Sequence, residues 1–108
     1  MVKGLNPMQQ VKDLQTKMVK MQEELAVRTV EASAGGGMVT AVVNGRLDLV
    51  SLKIDKQVVD PADVEMLEDL VVAAVNDGLR KAQEMAAAEM NKLAGGLNIP
   101  GLKLPGLF

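Results

Sequence analysis

The chain has 108 residues, 48% hydrophobic and 24% charged, with a net charge of −2, which suits one compact domain and leaves no room for two independent cores. It has no Cys, His, Trp or Tyr, and its one Phe is Phe108, so disulfides, thiolate zinc sites, thiolate nucleophiles and histidine-based triads are excluded. No apolar run approaches the ~18 residues of a spanning helix, so the expectation is a cytoplasmic chain without a membrane partner.

Asn6-Pro7-Met8-Gln9 has the form of a helix start, with Asn6 as N-cap, Pro7 at the first helical position and Gln9 completing a capping box. Met8, Val11, Leu14, Met18, Met21 and Leu25 follow at spacings of three and four, a narrow seam suited to packing on one other helix. From Arg28 the period becomes two, with Val30, Ala32 and Ala34 on one face and Thr29, Glu31 and Ser33 on the other. Gly35-Gly36-Gly37 supplies a turn, Met38 to Val43 a second strand, and Asn44-Gly45 the pair preferred in a two-residue type I′ hairpin. Arg46 to Asp55 completes an antiparallel three-stranded meander, its second half alternating Val50, Leu52 and Ile54 against Ser51, Lys53 and Asp55.

Asp60-Pro61 repeats the cap-then-proline signal before a long helix whose apolar positions run from Val64 through Leu67, Leu70, Val71, Ala74, Val75, Ala82, Met85 and Met90 to Leu93. Gly78, inside it, marks a kink or a close contact, and Gly95-Gly96 is expected to end it, with Lys92 in its last turn. The chain therefore divides into a folded unit, 1–94, and a Gly/Pro/Leu-rich tail, 95–108. That tail reads as loose; the sharper alternative docks its leucines and Phe108 on a partner.

No catalytic or metal-binding constellation emerges. The triple glycine joins two strands and lacks the Gly-Lys-Ser/Thr ending of a phosphate loop, and no carboxylate spacing resembles a calcium loop. Neither Ser33 nor Ser51 stands in a nucleophile elbow. The expectation is a protein that is not an enzyme and takes no cofactor. Charge distribution says more: residues 1–22 hold Lys3, Lys12, Lys17 and Lys20 against Asp13 alone, while residues 60–69 hold Asp60, Asp63, Glu65, Glu68 and Asp69 and no base. The lysines lie off the apolar seam, and Arg80-Lys81 adds a second basic pair. Without aromatic residues in the folded part, base stacking is absent, so nucleic-acid binding would run through phosphates.

The segments ASAGGGMVTAVVNGRLDLVSLKID (32–55) and EMLEDLVVAAVNDGLRKAQE (65–84), joined by Asp60-Pro61, resemble the YbaB/EbfC family of small bacterial nucleoid-associated proteins over about residues 6–93. Gly78 and the leucine-rich tail stand outside the matched pattern. The resemblance implies an α+β subunit of order α-β-β-β-α, a homodimer with a shared central sheet and projecting helical arms, and binding of double-stranded DNA at the nucleoid with roles in chromosome organisation and gene regulation. Carried onto this sequence, the DNA-binding positions are Lys12, Lys17, Lys20, Arg80 and Lys81. The alternative is an adaptor that uses the helical seam and the tail to recruit another protein.

Overall fold

The computed structural model describes residues 7–97, and its element order is the predicted one: α1 (Pro7–Val27), β1 (Thr29–Ala34), β2 (Val39–Asn44), β3 (Leu49–Ile54), a 3-10 turn (Lys56–Val58) and α2 (Val64–Leu97). The predicted N-cap Asn6 and the segment beyond Leu97 lie outside the described residues. Gln9 turns its amide to Asp13 Oδ1 at 3.1 Å.

The sheet is antiparallel in the order β1-β2-β3, so β2, the most β-branched segment, is central. Val39, Ala41 and Val43 are fully buried on its inner face and meet α2. Ala32 of β1, paired with Ala41, is buried beside them, as the alternation of β1 predicts. The core joins Val39, Ala41, Val58 and Ala74, with Leu67, Leu70, Val71 and Val75 packed around them. Val64 was expected on this apolar stripe, but it is 51% exposed because it stands at the helix entrance, ahead of the first residue that reaches the sheet.

The stripe Ala74-Gly78-Ala82 is what lets α2 lie close on the sheet. A Cβ on Gly78 would stand 2.8 Å from Val43 Cγ2, so this glycine marks a close approach, and the helix runs unbroken through it. The start of α2 differs from expectation. Pro61 lies in a turn in which Asp60 Oδ1 accepts from the Ala62 N–H at 2.9 Å, and Asp63 is the N-cap, its Oδ1 accepting from the Met66 N–H at 3.3 Å. The far end also differs: α2 continues through Gly95 and Gly96 to Leu97, which places Lys92 before the last turn.

The Asn44-Gly45 connection is not a type I′ turn, because neither Gly45 nor Arg46 has positive φ; Leu47 does, at 69°. The Leu47 N–H reaches Asn44 O at 3.0 Å, and the ladder closes between Asn44 N and Asp48 O, so β3 begins at Leu49 and not at Arg46. A bulge follows, with Val42 opposite Ser51 but Val43 opposite Leu49, which leaves Val50 as the extra residue and shifts the predicted alternation. The two residues were displaced from the hairpin geometry by a second task. Gly45 N–H donates to Leu25 O at 2.8 Å and to Arg28 O at 3.1 Å, while Asn44 Nδ2 donates to Ala26 O at 3.2 Å. These donors satisfy carbonyls that the end of α1 leaves without intrahelical partners.

Candidate functional site

α1 is fixed at its root and bare along its length. Leu25 is 6% exposed under the Asn44-Gly45 turn, Met21 and Leu14 are half-buried, and Val11 and Met18 are 55% and 36% exposed. At 100° per residue, Lys12, Lys17 and Lys20 fall on the side of the helix opposite this seam, and all three are exposed. Among the described residues no ion pair engages any of them. Glu23 and Glu24 also face solvent, so the basic character belongs to the stretch from Pro7 to Gln22, where three lysines stand against Asp13.

Arg80 and Lys81 are differently placed. Arg80 pairs with Asp77 and, at 3.0 Å, with Glu84; Lys81 lies 3.5 Å from Asp77 and also donates to Glu31 O at 3.4 Å. The hydrogen bond from Arg80 holds the Asp77 carboxyl below its ordinary range, aided by Lys81, and Asp77 raises the Arg80 pKa in turn. Two cations therefore sit among two carboxylates one turn away on either side, a locally neutral cluster. It lies over the sheet, whereas the three lysines lie on the projecting helix, so the structure does not gather the five expected residues into one site.

A different basic residue does join the α1 lysines. Arg28, just after α1, pairs with Glu89 of α2, and Lys92 lies 3.4 Å from the same carboxylate. The Arg28 hydrogen bond holds the Glu89 carboxyl below the usual glutamate range, with Lys92 adding to the effect. Beside this pair the two helices form a cleft of about 340 Å³ lined by Lys17, Lys20, Met21, Glu24, Lys92 and Leu93 together with Glu89. Three lysines from two helices thus converge against two carboxylates. Sequence reading placed Lys92 as a complement to the helix dipole; its nearness to Lys17 and Lys20 depends on the antiparallel run of α2 beside α1, which no local pattern encodes. Chemically, the surface can attract and hold an anion through exposed ammonium groups. Among the described residues no group of three or more His, Cys, Asp or Glu is arranged to hold a metal ion, and no helix is long and apolar enough to cross a membrane.

Comparisons with known proteins agree in direction. Residues 2–97 match the model of the YbaB/EbfC DNA-binding family. A nucleoid-associated protein of Syntrophobacter fumaroxidans is 75% identical over 108 residues, covering 100% of this chain and 98% of that one. A nucleoid-associated protein of Thermoanaerobacter pseudethanolicus is 62% identical over 97 residues, covering 90% and 87% of the two chains. Among solved structures, an uncharacterized protein from Helicobacter pylori superposes with a TM-score of 0.70 at 23% identity, covering 90% of this chain and 98% of that one, a likeness of fold alone.

Proposed function

The chain belongs to the YbaB/EbfC DNA-binding family, and on that premise we propose that it binds duplex DNA as a homodimer, mainly through phosphate contacts, in the cytoplasm at the nucleoid, where it organises the chromosome and influences gene expression. The observation that carries this reading is the row Lys12, Lys17 and Lys20: exposed, unpaired among the described residues, and presented on a helix held away from the core. A chain with net charge −2 meets a polyanion through such a local basic surface. Lys92 extends the surface onto α2, while Arg80 and Lys81 contribute less because Asp77 and Glu84 neutralise them.

What supports the homodimer is β3. It is exposed along its whole length, with Leu49 at 47%, Val50 at 55%, Leu52 at 36% and Ile54 at 39%, because α2 covers only β1 and β2. An uncovered apolar edge strand is a poor surface for a lone subunit and a ready one for a second copy. Doubling the arms presents two weak phosphate-binding surfaces to one duplex, which multiplies affinity without new contacts. In this reading residues 1–94 are the DNA-binding unit, 95–108 an appendage, and neither catalysis nor a cofactor is involved.

The test is fluorescence anisotropy with a labelled duplex across a salt series, alongside solution mass by light scattering. Binding should fall steeply and linearly on logarithmic axes as salt rises, with a mass of two chains. Salt-independent binding, or no binding at low salt, would refute the phosphate reading, and a single-chain mass would refute the dimer. If deleting 95–108 leaves DNA affinity intact but abolishes capture of a protein partner, the adaptor role belongs to the tail instead.

A further inference from the structure

The apolar seam of α1 is covered in a gradient. Leu25 is buried by the Asn44-Gly45 turn, Met21 is half-buried where Leu93 of α2 stands beside it in the cleft, and farther toward the N-terminus Met18 and Val11 are increasingly open. α2 runs antiparallel to α1: Glu89 meets Arg28, and Lys92 and Leu93 lie beside Lys17, Lys20 and Met21. The chain leaving α2 at Leu97 is therefore directed along α1 toward the uncovered half of the seam.

The next eleven residues, 98–108, contain Ile99, Leu102, Leu104, Leu107 and Phe108 and a single charged side chain, Lys103. Extended, they reach about 36 Å at ~3.3 Å per residue, whereas Met18 to Val11 spans only about 10 Å of helix. Pro100 and Pro105 restrict the backbone to extended conformations and lack the N–H groups that an apolar contact would leave unsatisfied. A tethered segment also competes at an effective concentration in the millimolar range, which a separate molecule at micromolar concentration does not match.

We propose that residues 98–108 fold back on α1 of the same chain and cover Val11, Leu14 and Met18, completing the seam that Leu93 begins. The contact uses the side of α1 away from Lys12, Lys17 and Lys20, so it leaves the basic row open and stands independently of DNA binding.

Because the chain has no cysteine, paired cysteines report the contact cleanly. In the full-length chain, Val11→Cys with Leu104→Cys should oxidise to a disulfide within one chain at least about tenfold faster than Asp13→Cys with Leu104→Cys, which places the thiol on the other side of the helix. Equal rates for the two pairs would overturn the proposal. So would a product of two-chain mass, which would assign the seam to a second copy. Independently, Leu102→Ser with Leu104→Ser should raise amide exchange across residues 10–18 several-fold and leave residues 39–43 unchanged; unaltered exchange in 10–18 would also overturn it.

Discussion

The middle of α2 and the length of α1 are both amphipathic helices, yet they are held by opposite means. At Ala74, Gly78 and Ala82 the helix lies so close to Ala32, Ala41 and Val43 that a single methyl group at Gly78 would collide. From Pro7 to Lys20, α1 has no element packed over most of its surface and is fixed only at Leu25, Ala26 and Arg28. Stability is concentrated in the first region and charge presentation in the second. The difference teaches that lysines remain available to an outside anion where the fold supplies no carboxylates, which is on the arm and not over the sheet.

The largest expected effect tests that division directly. Changing Lys12, Lys17 and Lys20 to Gln should weaken duplex binding on the order of 100-fold at ~0.1 M salt, by the loss of three phosphate contacts. Changing Arg80 and Lys81 to Gln should cost less than about tenfold, since each already has carboxylate partners. Anisotropy on both variants decides it, and the reverse order would show that the sheet-side cluster is the binding surface.

Next in size is Gly45→Ala. The new Cβ would stand 2.7 Å from Leu25 Cδ2 and 2.8 Å from the Leu25 carbonyl oxygen, and backbone cannot retreat as a side chain can. The expected cost is about 2 to 3 kcal/mol in chemical denaturation, with α1 detaching at its root. Gly78→Ala should cost less, about 1 to 2 kcal/mol, because the clash with the fully buried Val43 is offset by roughly 1 kcal/mol of helix propensity. A stabilising Gly78→Ala would mean that α2 is less closely seated than the distances state.

The smallest effect is a pH dependence at the arm root. The Glu89 pKa is lowered on folding, so its pairing with Arg28 stabilises the folded chain above the ordinary glutamate range and is lost as pH falls through the lowered value. Amide exchange in the last turn of α1 should therefore rise with acidification from that range downward. Glu89→Gln should flatten this dependence, and an unchanged pH profile would remove the ion pair from the account of the arm.

Much of the fold was legible because it rests on periodicity. The stripe from Leu67 to Leu93, the alternation of Val30, Ala32 and Ala34, and the β-branched run of β2 each name a buried face without reference to any other segment. The cap of α2 was misplaced by three residues because Asp60 and Asp63 are equivalent as local signals, and only the turn around Pro61 separates them. The basic row on α1 was visible as spacing. Its separation from Arg80 and Lys81, and its nearness to Lys92, were not, because both depend on how α2 lies beside α1.

By itself the sequence determined the order of elements, the inner face of each and the side of α1 that carries charge, since these follow from residues three, four or two positions apart. Tertiary structure decided the use of Asn44 and Gly45. Their local preference for a two-residue hairpin yielded to the end of α1, whose carbonyls needed donors at close range and found them in an amide side chain and a backbone N–H with no Cβ in the way. The open face of β3 was decided in the same manner: its residues are apolar by composition, and they are exposed because a single helix is wide enough to cover two of the three strands.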